Sequence, residues 1–295
     1  MVVGRGDLTN DEWRRLEPHL PVGGRRGGRW AGRRRVINGI LFRERMGVLW
    51  RDLPERFGRW KTVYERHRRW SADGTWERIL QAVQADANAE GRIDWSMVGV
   101  DSTSCRAHQH AAGARRKNSA DTEKRSTPRQ HRPDEGLGRS RGGLTSKIHL
   151  ASDGGCRPLA LLVTPGQWGD APQMIPVLER IRVPRIGEGR PRTTPDLLSA
   201  DKAYSSRSNR RYLRRRRIKH TIPEPKDQRA NRRRRGSRGG RPVGFDKEQY
   251  KRRNEVERTI NRLKSYRAVA TRFDKRAYVF HGTVTVAAIR LWLRA

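Results

Sequence analysis

A chain of 295 residues can form one large domain or two smaller ones, each with a proper core. Hydrophobic residues make up 34%, charged residues 33%, and the formal net charge is +36, so self-repulsion calls for a polyanionic partner, with nucleic acid as the natural one. No apolar run approaches the roughly 20 residues of a membrane span, and the opening MVVGRGDLTNDEW carries no secretory leader. The two cysteines, Cys105 and Cys156, form no CxxC pair, which predicts reduced thiols in a cytoplasmic protein and no zinc site.

Residues 1–92 read as a helical domain. Thr9 and Glu12 match a capping box, followed by Trp13, Leu16 and Leu20 on one face. Pro21 and the Gly- and Arg-rich 22–32 break that helix. Val36, Ile37, Ile40 and Leu41 mark a second helix ending near Gly47, and WRDLPERFG is a turn-containing connection. KTVYERHRRW predicts a third helix with Val63 and Trp70 inward and Lys61, Arg66, Arg68 and Arg69 outward; TWERILQAV starts a fourth. Helix, turn and basic helix follow the layout of a helix-turn-helix module, in which Lys61 and Arg66 would contact DNA. The alternative is an ordinary bundle with solvated charges.

The composition shifts to short apolar, β-branched runs at residue 93. MVGVDSTS (97–104) reads as a buried strand with Asp101 at the strand end. Residues 111–143 lack hydrophobic periodicity and are expected to be a mobile basic loop that orders on DNA. LTSKIHLAS (144–152) and CRPLALLVTPG (156–166) predict two strands joined through Asp153-Gly154-Gly155. A helix over DAPQMIPVLERI, a strand over 195–201 ending in Asp201, a helix over SSRSNRRYLRRR and a strand over 218–223 follow. Residues 228–245 hold seven arginines and no acid, so 226–246 is expected to be a loop whose Arg232, Arg233, Arg234 and Arg235 meet phosphates. A helix over 250–267 and an apolar helix over 279–293 complete the chain. A mixed sheet covered by helices is the implied α/β architecture.

The helix over 250–267 carries the chemistry. Val256, Ile260 and Leu263 form one apolar stripe at i, i+4 and i+7. Tyr250, Arg253, Glu257 and Lys264 fall within an arc of roughly 60° beside it at 3.6 residues per turn. With Tyr250 at zero, Glu257 lies near 340°, at the border of the apolar face, whereas Glu255 lies near 140° on the far side. Glu255 is therefore expected to be a solvated surface acid, paired at i,i+3 with Arg258. Strand ends collect sites in layered α/β folds, so Asp101, Asp201 and Glu257 could converge from distant parts of the chain. Carboxylates alone select hard cations, Mg²⁺ or Mn²⁺, and two such ions about 4 Å apart clamp an in-line phosphoryl transfer. A solvated basic helix with an incidental acid is the bland alternative.

These stretches carry a family resemblance. VGVDSTSCRAHQHAAGA, KIHLASDGGCRPLALLVTPGQWGDAPQM, LSADKAYSS and NEVERTINRLKSYRAVATRFDK, with the Y-x2-R-x3-E-x6-K spacing at Tyr250, Arg253, Glu257 and Lys264, resemble bacterial insertion-sequence transposases of the IS5 group, in the wider IS4-like DDE superfamily. So do LTNDEWRRLEPHLP and the stretch from NGILFRERMG to YERHRRW, and the likeness covers nearly the whole chain. It implies an RNase H-like fold over 93–295, a catalytic triad of Asp101, Asp201 and Glu257 holding two Mg²⁺ or Mn²⁺ ions, and binding to terminal inverted repeats and target DNA. It further implies that Tyr250, Arg253 and Lys264 grip the DNA backbone, that the chain acts as a homodimer on DNA, and that it is associated with the bacterial nucleoid. A stand-alone nuclease of the same fold and a catalytically inactive DNA-binding remnant are the alternatives.

Lesser candidates are His108 and His110, read as DNA contacts or local packing rather than a metal pair, and Asp153, read as a turn residue. GRSRGGLTS (138–146) is glycine-rich, but neither a lysine nor a helix start follows, which argues against nucleotide binding. Asp170 reads as a helix cap, and Trp168 as a residue that either packs or stacks on an unpaired base.

Overall fold

The computed structural model describes residues 6–22, 32–115 and 132–294. Four helices come first: α1 (Asn10–Leu16), α2 (Arg33–Met46), α3 (Trp60–Ala72) and α4 (Thr75–Ala89). The capping box at α1 is complete. Thr9 Oγ1 accepts from the Glu12 amide at 3.1 Å and the Glu12 carboxylate accepts from the Thr9 amide at 2.7 Å. Gly47 closes α2 at φ 68°, a left-handed cap that favours glycine. The WRDLPERFG connection forms two short 3₁₀ turns, Trp50–Asp52 and Glu55–Phe57.

The sheet follows from β1 (Val98–Ala107), β2 (Gly138–Ser140), β3 (Gly143–Ser152), β4 (Pro158–Pro165), β5 (Leu197–Ala200), β6 (Lys219–Thr221) and β7 (Thr271–Arg272). The path runs β2-β3-β1-β5-β6. β2 and β4 pair antiparallel with successive stretches of β3, and β7 runs parallel with the far end of β1. β3 is antiparallel to β1, whereas β1, β5 and β6 are mutually parallel. An antiparallel meander joined to two parallel strands, with helices against it, is the RNase H-like mixed sheet. Its helices are α5 (Met174–Glu179), α6 (Arg207–Arg215), α7 (Lys226–Arg234), α8 (Lys247–Lys251), α9 (Asn254–Lys264), α10 (Arg267–Ala270) and α11 (Ala277–Leu293).

The apolar α11 buries Phe280, Val284, Ala287, Ile289 and Trp292 and lies against α3, α4 and β4. At Gly282 it approaches α3 so closely that an added Cβ would overlap the Ser71 side chain at 2.0 Å. The four N-terminal helices and the sheet thus share one continuous hydrophobic core. Among the described residues, no helix is long and apolar enough to cross a membrane.

Four sequence expectations change. Asp101 is not at a strand end but fourth in a ten-residue strand, because β3 pairs with β1 from Gly99 to Arg106. What stops there is the parallel pairing with β5, at Val100 and Ala200, so Asp101 and Asp201 stand side by side just beyond it. Residues 116–131 of the expected loop lie outside the described residues, but its flanks are ordered: Gln109–Gly113 and Pro133–Glu135 form 3₁₀ turns, and β2 forms a hairpin with β3. The buried Glu135 anchors that segment by accepting from Arg115, Arg276 and the Ala277 amide. Residues 226–234, expected as loop, are the exposed helix α7; no glycine or proline interrupts Lys226–Arg235, and the glycines begin only at 236. The single helix expected over 250–267 is three. Bonds from the Arg252, Arg253, Glu255 and Val256 amides to carbonyls three residues back tighten the chain between α8 and α9 into a 3₁₀-like turn.

Candidate active site

Gly99 brings α9 onto the sheet. A Cβ there would lie 2.7 Å from Val256 Cβ, so only glycine lets the helix sit this close to β1, two residues before Asp101. The fully buried Val256 and Leu263 hold the apolar stripe against the sheet and leave Glu257 at its border, 45% exposed.

The tightened turn aims Arg253 inward. Its Nη1 lies 3.5 Å from Asp101 Oδ2 and its Nη2 lies 2.5 Å from Glu257 Oε1, so one guanidinium spans two of the three carboxylates. The third, Asp201, caps a 3₁₀ turn by accepting from the Lys202 amide at 2.7 Å, and the Tyr250 side chain lies close to it. Arg253 also lies over the Tyr250 ring, 5.7 Å from its centroid. Lys264 Nζ reaches Thr103 Oγ1 at 3.3 Å and the Ser104 carbonyl at 3.5 Å, farther along β1. Arg253 and Lys264 therefore meet β1, Tyr250 lies toward Asp201, and Glu257 joins the group through Arg253.

Burial raises the Asp101 pKa above the ordinary carboxylate value. The Ser102 amide, which donates to Oδ1 at 2.8 Å, and Arg253 oppose that, while the negative charges of Glu257 and Asp201 add to it. Asp101 thus feels both other carboxylates, and Arg253 is shared between Asp101 and Glu257. Oxygen donors of this kind suit Mg²⁺ or Mn²⁺. Among the described residues no three Asp, Glu, His or Cys side chains stand at the spacing of a formed metal site. The donor set fits a hard divalent ion, with the condition that Arg253 releases Asp101 and Glu257 to it.

A second polar group that the sequence did not disclose lies behind Asp101. Asp170 Oδ1 accepts from Ser102 Oγ at 2.7 Å and from Lys147 Nζ at 3.0 Å, with His149 Nδ1 3.8 Å away. The Tyr204 side chain is buried close to Asp101, Asp170 and Ser102, and burial pushes its pKa up. Asp170 makes no side-chain cap, so its expected role is replaced by this network. Only the register, Ser102 opposite His149 and Thr103 opposite Ile148, brings these residues together.

Glu255 differs from expectation. It is 18% exposed, less than Glu257, because it pairs with Arg252 rather than Arg258, and Arg252 in turn reaches Asp94 at 2.9 Å. His108 and His110 pack edge to face with ring centroids 4.5 Å apart, and His108 rests on Phe273, an arrangement of local packing. Asp153 holds its turn by accepting from the Gly155 and Arg157 amides, and it pairs with the Arg157 guanidinium. The Trp168 side chain is exposed. Burial pushes the Cys105 thiol up to about 12, and both cysteines are buried and free. Of the expected DNA contacts outside this group, Arg232 pairs with Glu224 at 3.1 Å, while Arg233 and Arg235 on the same segment are exposed. Lys61 is exposed on α3, and Arg66 lies over the Trp70 ring, with burial and then Arg69 lowering its pKa.

Comparison with known proteins gives two family matches. Residues 96–292 match a family described as "Transposase DDE domain", and residues 8–80 match "Putative transposase of IS4/5 family". An uncharacterized protein, y4sN, of Sinorhizobium fredii is 41% identical over 37% of this chain and 83% of its own length. A Brucella ovis protein named "Putative transposase for insertion sequence element IS6501" is 30% identical over 51% of this chain and all of its own. A Burkholderia cepacia protein named for insertion sequence element IS402 is 32% identical over 46% and 57%. Among solved structures, a pre-cleavage Mos1 transpososome aligns over 96% of this chain and 84% of that one at 11% identity, with a TM-score of 0.25.

Proposed function

The chain belongs to the DDE-domain transposase family, and from that premise we propose that it binds the terminal inverted repeats of an insertion sequence, cuts at the element ends and joins the freed 3′-hydroxyls to target DNA. The observation that carries this reading is the bridge of Arg253 between Asp101 and Glu257, with Asp201 next to Asp101 just beyond the end of the parallel β1–β5 pairing.

In this proposal Asp101, Asp201 and Glu257 would hold two divalent ions, Mg²⁺ or Mn²⁺, which would supply activation of the attacking oxygen and stabilisation of the leaving one. The chain's own residues prepare the site. The Ser102 and Lys202 amides orient one oxygen of each aspartate. Arg253 balances the carboxylates until metal and DNA arrive, and then turns to a phosphate oxygen. Tyr250 stands beside Asp201, and Lys264 stands farther along β1 to receive the next phosphate. Lys61 and Arg66 on α3 and Arg232–Arg235 at the end of α7 supply sequence-independent phosphate contacts, with residues 1–92 acting as the DNA-binding region and 93–295 as the catalytic one. Two copies act together on paired ends.

The test is a strand-transfer assay with flanking inverted repeats, Mg²⁺ and a supercoiled target. Wild type is expected to cut and join, and Asp201→Asn to lose both while retaining end binding. Loss of binding in parallel with loss of cutting would refute the metal-site assignment.

A further inference from the structure

Two clefts meet at the C-terminal end of α9, where the ends of α2 and α11 come alongside it. One, of about 670 Å³, is lined by Arg45, Arg157, Arg262 and Arg294. The other, of about 630 Å³, is lined by Arg45, Arg267, Arg290 and Arg294. Ser265 and Tyr266 border both, so the two form one groove. Among the described residues, neither lining contains an acid.

The six arginines divide into two sets. Arg157 pairs with Asp153, and Arg290 and Arg294 both reach Glu12, so nearby carboxylates offset their charge. Arg45, Arg262 and Arg267 are exposed, and among the described residues none of them forms a salt bridge. Neutral acceptors hold the first two in place. Arg45 Nη1 donates to the Ser265 carbonyl at 3.0 Å and to Ser265 Oγ at 2.8 Å, and its guanidinium lies over the Tyr266 ring, 5.6 Å from the centroid. Arg262 Nη1 donates to the Cys156 carbonyl at 3.3 Å. A carbonyl positions a guanidinium without neutralising it, and each guanidinium keeps further N–H donors for an outside partner. The partial negative charge at the end of α9 accounts for one cation there, not for three. Like charges gathered in one groove repel until an anion enters.

We propose that this groove binds the sugar–phosphate backbone of a second DNA duplex, on the flank of α9 away from the carboxylates. The inference rests on the DNA-binding reading above. Tyr266 is 4% exposed beneath Arg45, so its ring offers no face for a base. Three unbalanced cations spread over two adjoining clefts suit successive phosphates of one backbone, read without regard to sequence. Five residues at about 100° each place Arg262 roughly 140° round the helix from Glu257. Arg262 accordingly reaches the β3–β4 turn at Cys156, whereas Arg253 and Lys264 reach β1. The body of α9, about 10–12 Å across, stands between the two flanks.

The test uses the full chain, saturated with an inverted-repeat duplex that carries one dye. A duplex of unrelated sequence carrying a second dye is then titrated in, and both are followed by anisotropy. Wild type is expected to bind the second duplex without releasing the first. Arg45→Ala with Arg262→Ala should weaken the second binding about tenfold or more, lower its salt slope by about 1.8, at 0.9 for each phosphate no longer neutralised, and leave the first within about twofold. Arg45→Lys with Arg262→Lys keeps both charges and should retain most of the second binding. Arg267→Ala, at the surface, should show the same selective loss at smaller scale even if the double alanine variant loosens the end of α9. Displacement of the first duplex by the second, or unchanged second binding in both the double alanine variant and Arg267→Ala, would overturn the groove alone. Inorganic phosphate that releases the second duplex beyond the effect of chloride at equal ionic strength would mark a single-anion site and overturn the duplex assignment. A wild-type chain that binds neither duplex would overturn the DNA reading itself.

Discussion

Gly99→Ala tests whether the seat of α9 controls the chemistry. The added Cβ would meet Val256 Cβ at 2.7 Å, against the ordinary 3.5–4.0 Å between carbon atoms. Val256 Cβ is fixed to the helix backbone and cannot rotate away, so α9 must retreat from β1 by about 1 Å. Overpacking of this kind costs about 1–3 kcal/mol, or about 2–4 °C in Tm for each kcal/mol in a domain of a few hundred residues. The retreat carries Glu257 and Arg253 away from Asp101, and a misplacement of about 1 Å costs on the order of a hundredfold in rate. Inverted-repeat binding, which uses cations spread over other elements, should stay within about threefold under the same proposal. The assay pairs Mg²⁺-dependent nicking of end-containing DNA with a melting curve and a binding titration. A lowered Tm with nicking within a few-fold of wild type would show that the seat of α9 does not govern the site. An unchanged Tm would mean that the close contact is absent.

The neighbouring acids should separate: Glu257→Ala should abolish Mg²⁺-dependent cleavage and Glu255→Ala leave it within a few-fold, and the reverse pattern in a nicking assay would reassign the third carboxylate. Replacing Arg232–Arg235 with alanine should weaken binding to all sequences alike and reduce the salt slope by about 0.9 for each phosphate no longer neutralised. Because Arg232 pairs with Glu224, most of that change should come from the other three, and an unchanged slope in salt titrations would remove the segment from the interface. Asp170→Ala would strip the partner from Lys147 and Ser102 and should slow cleavage at least tenfold with end binding retained; a wild-type nicking rate would confine Asp170 to folding. Burial holds the His67 and His149 pKa values down, from 6.5 to about 4. Their neutral forms are the folded ones, so the stability tied to them is complete above pH 6.5 and is lost as the pH falls toward 4, by up to roughly 3 kcal/mol each. Melts between pH 7 and 4 should show that fall, and His67→Gln with His149→Gln should flatten it; an unchanged slope would refute the assignment.

Much of the architecture was legible in the chain itself. The capping box at Thr9 and Glu12, the short β-branched strands and the apolar α11 are local or periodic signals, and each appears where the periodicity places it. The spacing of Glu257 and Lys264 within α9 was readable for the same reason, since a helix turns sequence interval into direction, whereas Tyr250 in α8 and Arg253 in the tightened turn are placed by the break between the helices. Where a neighbour sets the conformation, the reading failed. Asp101 lies inside its strand because β3 pairs past it, the turn at Arg252–Arg253 tightens where those side chains reach toward Asp94 and Asp101, and Glu255 is covered by an arginine from its own helix entry. The Asp170 network and the arginine groove at the end of α9 had no sequence signal, because their members come from segments tens to hundreds of residues apart and only the strand register and the packing of α2 and α11 beside the end of α9 unite them. The sequence alone determined most element types, though not the helix over 226–234 or the break at 252–253; the tertiary structure decided which carboxylates share a cation, because long-range pairing depends on register and packing geometry that no local pattern encodes.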